Sequence, residues 1–244
     1  MSDIDRRPRP GPSDRATWLR ELRRENERQE DALVEIYDAE WGEIEDDHRR
    51  FIERFLAELP SGGRVLDAPC GTGKYFGMVL DSGRSVLGVD QSGGYLAKAA
   101  TKFPDVPTEK GDIQDLERRD EFDGVMCADA MEFIPPEDWP LVLGRFRDAL
   151  HADGWLYLTV ELADPGAVRE ANADLRQRGL PVVDGEVMWE EPYGYYHHYP
   201  ALDRVRTWIA EAGFTIVDEA DGPWHDGEYA YHHVLARTRP RGSG

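Results

Sequence analysis

The spacing of apolar residues changes near residue 60. Before that point, Trp18, Leu22, Leu33, Ile36 and Tyr37, then Phe51, Ile52, Phe55, Leu56 and Leu59, recur at helical spacing. This predicts an N-terminal helical cap over 14–60, interrupted near Gly42 and stopped by Pro60-Ser61-Gly62-Gly63. From Arg64 on, short apolar runs alternate with amphipathic stretches. Strands are expected at Arg64–Ala68, Ser85–Asp90, Val106–Lys110, Phe122–Ala128, Trp155–Glu161, Phe214–Glu219 and Ala230–Arg237. Helices are expected at Lys74–Asp81, Ser92–Phe103 with Ser92 as N-cap, Asp138–Leu150 and Leu202–Ala212. Residues 162–200 read as an irregular, aromatic-rich insert that covers the substrate.

Alternation of strand and helix predicts an α/β fold. The expected architecture is a doubly wound, mostly parallel sheet over 61–238, and the two consecutive C-terminal strands give it an antiparallel finish. Residues 1–13, rich in Arg and Pro, read as a disordered arm, and so does the tail from Arg239.

Composition narrows the function. Of 244 residues, 29 are Lys or Arg and 49 are Asp or Glu, a net charge of −20. That sign repels phosphate backbones and anionic membranes, so neither nucleic acid nor membrane is an expected partner. No apolar run reaches the roughly 18–20 residues of a membrane span, and the N-terminal stretch lacks the apolar core of a signal peptide. Cys70 and Cys127 make no disulfide framework, so a reduced, cytoplasmic setting is the expectation. No metal site is expected from two cysteines among scattered histidines. Arg20, Arg23, Arg24 and Arg28 alternate with Glu21, Glu25, Glu27 and Glu30, which reads as a solvated helix face or a homodimer contact.

The sharpest motif is Val65-Leu66-Asp67-Ala68-Pro69-Cys70-Gly71-Thr72-Gly73, in which a strand ends in an acid and turns through two glycines into a helix. Glycine permits positive φ and close approach of backbone to a ligand, and strand carboxyl ends are where open α/β sheets bind ligands. Phosphate-loop and dinucleotide patterns both fit poorly: Tyr75 follows Gly73-Lys74, and Phe76 stands where a third glycine belongs. An acid before the glycines suits a cation. Asp90 ends the next strand, 17 residues beyond Gly73 (90 − 73), near the spacing of about 20 at which an acid grips ribose hydroxyls. Asp112 and Asp129 close the third and fourth strands, so acids stand near four successive strand ends.

This pattern resembles the class I S-adenosylmethionine (SAM)-dependent methyltransferases, from about Arg64 to Glu161 and more loosely to Arg237. VLDAPCGTG resembles the first motif of that family, GVD the second, GDI the third and FDGVMCADAMEFIPPEDW the fourth. The resemblance implies a seven-stranded Rossmann-like sheet with SAM as cofactor and S-adenosylhomocysteine as product. It implies that Asp67, Ala68, Gly71 and Gly73 lie around the methionine part, Asp90 at the ribose, Gln91, Asp112 and Ile113 at the adenine, and Cys127 and Ala128 at the amino acid part. Tyr37 is a further cofactor contact if the N-terminal helices act as a lid.

The resemblance implies methyl transfer to an oxygen or nitrogen of a small organic molecule, with secondary metabolism as a setting. Two other readings stand beside it: an enzyme that uses SAM without passing on its methyl, and a SAM-binding protein without chemistry. For the acceptor, Glu132 is a candidate base or anchor for a cation, against a solvated helix residue. His197 and His198, in Tyr193-Gly194-Tyr195-Tyr196-His197-His198-Tyr199-Pro200, titrate near neutrality as a base should, against a surface loop of stacked rings. If that segment is extended, the adjacent histidines point opposite ways. Trp41, Asp129, Met131 and Tyr196 are the expected substrate contacts, and core packing competes for Tyr37 and Trp41, four residues apart on one helix face. His232 and His233 read as structural, one facing in and one out.

Overall fold

A computed structural model describes residues 14–189, 195–224 and 229–240. The expected arm 1–13, residues 190–194 of the insert and 241–244 of the tail lie outside the described residues. In chain order the elements are α1 (Arg15–Leu33), α2 (Tyr37–Trp41), α3 (Asp46–Glu58), β1 (Arg64–Asp67), α4 (Phe76–Asp81), β2 (Ser85–Asp90), α5 (Gly93–Lys102), β3 (Thr108–Lys110) and β4 (Phe122–Cys127). There follow α6 (Trp139–Ala149), β5 (Leu150–Leu162), α7 (Pro165–Gln177), β6 (Glu186–Met188), β7 (Tyr196–His198), α8 (Leu202–Glu211), β8 (Phe214–Trp224) and β9 (Tyr229–Thr238).

The near-continuous apolar runs of β1, β2 and β4 suit strands covered on both faces. They join a seven-stranded sheet of order β3-β2-β1-β4-β5-β9-β8, in which β9 alone runs against its neighbours. The strand order reverses between β1 and β4. A crevice opens there at the strand carboxyl ends, the usual ligand site of such sheets.

Both faces of the sheet are filled. On one, Phe51, Ile52 and Phe55 of α3 pack with Phe76 and Val79 of α4 and with Leu96 and Ala99 of α5. On the other, Trp139, Val142 and Phe146 of α6 meet Val205, Trp208 and Ile209 of α8, and the indoles of Trp139 and Trp208 stack 5.0 Å apart. Phe55 is fully buried against Gly124 of β4, where an added Cβ would stand 2.5 Å from the Phe55 ring.

Two expectations change. The helical cap is not one unit: α3 packs on the sheet as core, whereas Trp18 and Leu22 of α1 pack on Leu175, Val182 and Tyr196. The insert is not irregular. It holds α7, with Asp164 accepting the Ala167 N–H as N-cap and Pro165 in the first turn, and the small antiparallel pair β6–β7. Its apolar stripe is narrow, with Val168 and Leu175 buried along a polar helix, so periodicity alone gave little signal.

Replacing Phe55 with alanine removes a fully buried ring beneath a glycine that cannot fill the gap. Chemical denaturation is expected to show a loss of about 3–5 kcal/mol.

Candidate functional site

Beyond β1 the chain turns through Gly71 at φ +51° and Gly73 at φ +75°, left-handed values that favour glycine. Asp90, at the end of β2, holds this turn. Its Oδ2 accepts the Gly71 N–H and its Oδ1 the Ser92 N–H, both at 2.8 Å. A carboxylate oxygen has lone-pair capacity for more than one donor, so Asp90 keeps acceptor capacity towards the crevice it lines. Burial is the main influence on Asp90 and pushes its pKa up to about 6, although the two backbone bonds pull it down.

The crevice is a cavity of about 760 Å³, within the usual range for small-molecule and cofactor sites. Gly71, Asp90, Gln91, Asp112, Ile113 and Ala128 line one end. Tyr37 of α2 lies over the turn: a Cβ on Gly71 would stand 3.8 Å from its hydroxyl. Tyr37 also packs on Tyr95 at 4.7 Å and on Trp41 at 5.6 Å.

Side chains of α1 and α2 fasten the roof to the sheet. Arg23 reaches Asp112 at 2.7 Å and Asp115 at 2.8 Å, the Ser92 hydroxyl donates to Asp31 at 2.6 Å, and Asp38 accepts from Thr72 and Lys102. The charge-laced helix is therefore not simply a solvated face, because Arg23 is spent inward. Asp112, implied as an adenine contact, already accepts from Arg23 and from the Gln114 N–H.

Asp129, just past β4, is a hub. It has φ +54°, a conformation that Asp tolerates better than most residues. Its N–H donates to Thr159 Oγ1 at 2.7 Å, Oδ1 lies 2.8 Å from His48 Nε2, Oδ2 accepts from the Tyr75 hydroxyl at 2.8 Å, and Lys74 Nζ stands 3.6 Å away. Burial alone would raise the pKa of Asp129. The charges of His48 and Lys74 and the bonds from His48 and Tyr75 outweigh it and hold the group well below the ordinary carboxylate range. None of His48, Lys74, Tyr75 or Thr159 was visible as a site residue in the sequence. They come from α3, the glycine turn and β5, and only folding brings them to one carboxylate.

The far end of the cavity is acidic and aromatic. Glu132 sits in a 3-10 turn after β4, and Glu161 at the end of β5; both are buried. His197 Nε2 lies 3.3 Å from Glu161 Oε2, and the Tyr199 hydroxyl donates to Glu161 Oε1 at 3.3 Å. His197 stacks on Tyr199 at 5.7 Å and packs on Phe133 at 5.1 Å. Burial first, then the charge of Glu161, raises Glu132 well above the usual range, and burial pushes Glu161 up to about 7. Burial lowers His197 to about 4, so its ring is neutral at neutral pH.

Tyr37, Trp41, Gly71, Asp90, Gln91, Asp112, Ile113, Ala128, Asp129, Glu132 and His197 thus share one cavity. Seven other expected contacts do not line it. His198 and Tyr196 alternate with His197 along β7 and face the other way: His198 lies against Trp139 and Trp208, and Tyr196 packs on Trp18 and donates to Glu186 at 2.6 Å. Met131 is fully buried in the α6–α8 core. Ala68 and Cys127 are sealed within the sheet, and Gly73 shapes the turn without lining the cavity. Asp67 is buried with no hydrogen-bond partner for either oxygen, and burial raises its pKa well above the ordinary value. Its carboxyl does not line the cavity. His232 bonds Asp221 and Glu219 on one face of the sheet, and His233 lies 3.0 Å from the Tyr157 hydroxyl on the other.

A family model described as a methyltransferase domain matches residues 65–154. Over 101 residues the chain is 33% identical to a dTDP-3-amino-3,6-dideoxy-alpha-D-glucopyranose N,N-dimethyltransferase of Streptomyces fradiae, covering 39% of each chain. Over 174 residues it is 28% identical to a trans-aconitate 2-methyltransferase of Variovorax paradoxus, covering 69% of this chain and 61% of that one. The matched stretches thus span less than two thirds of both curated relatives. A 1,6-didemethyltoxoflavin-N1-methyltransferase of Burkholderia thailandensis, solved with 1,6-didemethyltoxoflavin and S-adenosylhomocysteine, has the same fold at a TM-score of 0.68, 19% identity and 98% coverage of both chains. The sheet order, the glycine turn and these matches define a class I Rossmann-like methyltransferase fold. Residues 65–154 are thus similar to a methyltransferase domain, and the neighbour of the same fold holds S-adenosylhomocysteine, the demethylated form of SAM. The residues present fit this cofactor: Asp90 offers ribose hydroxyls a carboxylate already fixed by two backbone bonds, Ile113 offers an apolar wall, and Gly71 lets backbone approach closely.

Two outcomes test this site. Asp129→Ala leaves Lys74, whose side chain is only 4% exposed, without its carboxylate, and denaturation is expected to show a loss of about 3–5 kcal/mol. Glu161 is harder to ionise when folded, so its contribution to stability falls as pH rises through about 7. Glu161→Gln should therefore raise the thermal midpoint relative to the parent at pH 8.5, by the equivalent of up to about 3 kcal/mol, and leave it nearly unchanged at pH 4.

Proposed function

We propose that this protein transfers the methyl group of SAM to an oxygen or nitrogen atom of a small organic molecule. One observation carries the reading: a single cavity joins the cofactor end, at Gly71, Asp90 and Ile113, to an acidic and aromatic end at Glu132, Glu161 and His197. When bound, SAM supplies an electrophilic methyl, whose bond to sulfur breaks with the electron pair returning to sulfur as an acceptor lone pair takes the carbon. The residues of the chain position the acceptor, and positioning provides much of the rate in such a displacement. The aromatic wall and the roof of α1 and α2 exclude water. Glu132, Glu161 and the neutral His197 are the groups available to take a proton from the acceptor.

The proposal extends to a reducing, cytoplasmic setting, supported by two free and buried cysteines. No helix among the described residues is long and apolar enough to cross a membrane. The two methyltransferase relatives of known substrate, one acting on an aminosugar nucleotide and one on trans-aconitate, support a small-molecule acceptor.

Incubation with SAM and a panel of small amines, phenols and carboxylates should release S-adenosylhomocysteine and not methylthioadenosine; the opposite product would sink the reading. Asp90→Ala is expected to weaken binding of S-adenosylhomocysteine about 10–100-fold by calorimetry, the loss of one or two charge-assisted hydrogen bonds.

A further inference from the structure

The cavity as a whole is far from electrically balanced. Acidic side chains outnumber Lys and Arg along the cavity wall by seven to two. Both cations are engaged elsewhere: Lys74 stands 3.6 Å from Asp129, and Arg23 pairs with Asp112 and Asp115. Glu132 is 3% exposed, yet its Oε2 has no hydrogen-bond partner. A buried carboxylate oxygen without a donor is costly, and Glu132 is one of the residues that line the cavity. Glu161 lies across from it at the end of β5, and its own partners, the Tyr199 hydroxyl and the neutral His197, bring no full positive charge.

Around the two acids stand Phe133, Tyr195, His197, Tyr199 and Tyr231. Phe133 packs on both His197 and Tyr195, and Tyr199 is fixed by the Trp189 indole N–H at 2.9 Å. Such rings attract a cation through their faces, whereas those faces repel a carboxylate or phosphate. The acids explain where a positive charge would rest, and the rings explain the shape around it.

We propose that the methyl acceptor is a small molecule bearing a protonatable amine, seated with its nitrogen between Glu132 and Glu161 inside this aromatic wall. The inference rests on the methyl-transfer reading above and adds the acceptor class to it. The two carboxylates hold the ammonium and take the proton that the nitrogen must lose before its lone pair is free. An anionic acceptor would instead meet Asp129, Glu132, Glu161 and Glu30 together.

The test uses the full chain saturated with S-adenosylhomocysteine. Three matched series probe it, each comparing ammonium, alcohol and carboxylate on one ring: benzylamine, benzyl alcohol and benzoate; tyramine, tyrosol and 4-hydroxyphenylacetate; tryptamine, tryptophol and indole-3-acetate. In at least one series the amine should bind about tenfold or more tighter than its alcohol, as one charge-assisted hydrogen bond would give, and the carboxylate weakest. Glu132→Gln and Glu161→Gln should each shrink that preference to about threefold or less while S-adenosylhomocysteine still binds. In the unaltered protein, amine affinity should rise between pH 5.5 and 8.5. Over that range Glu161, facing Glu132, Asp129, Glu30, His197, Tyr199 and Tyr231, ionises, while the amine stays charged and the alcohol series stays flat. Equal or tighter binding of alcohols or carboxylates, no binding by any of the three amines, or a pH-independent preference would each overturn the proposal. Failure of S-adenosylhomocysteine itself to bind would instead bring down the methyl-transfer reading.

Discussion

Negative charge is gathered at the tips of the central strands and largely withheld from water, and the rest of the site follows from how that charge is met. Asp67, Asp90, Glu132 and Glu161 are all buried near the carboxyl ends of β1, β2, β4 and β5. Burying an ion costs several kcal/mol unless partners replace its water. The protein meets the cost in different ways. Asp90 is held by two backbone N–H groups and Asp129 by a histidine, a tyrosine and a lysine, whereas burial raises the pKa of Asp67. Glu132 and Glu161 have no cationic partner, and they line the cavity.

That division separates the two ends of the cavity. At the cofactor end, acceptors are fixed before any ligand arrives, because Asp90 is tied to the same glycine turn that shapes the floor. Preorganisation of this kind lowers the entropy lost on binding. At the other end the acids sit among rings and one neutral histidine, an arrangement that selects by charge and shape. Asp129 stands between the two ends, locked in place by residues from α3, the turn and β5.

The roof belongs to the site as much as the sheet does. Arg23 on Asp112, Asp31 on Ser92 and Asp38 on Thr72 tie α1 and α2 to the loops after β3, β2 and β1. Trp18 and Leu22 of α1 lean on α7 and on the strand that carries His197. A change in how the roof sits would thus reach both the nucleoside end and the acceptor wall, since one helix touches both.

The sequence by itself determined the sheet, the glycine turn and the run of acids at its edge. Strands buried on both faces must be apolar throughout, a turn at positive φ calls for glycine, and strand ends in an open α/β sheet are where ligands bind. It also left His197 and His198 open as a pair, since alternation along a strand divides neighbours but does not say which of them faces inward. Only the tertiary structure decided that His197 borders the cavity and His198 the tryptophans. Only the tertiary structure, too, took α3 out of the cap, built α7 from a weak stripe and assembled His48, Lys74, Tyr75 and Thr159 around Asp129. Those four residues lie far from Asp129 in the chain and share no local pattern. Their meeting is a consequence of packing, and local spacing cannot encode a contact that closes over long stretches of chain.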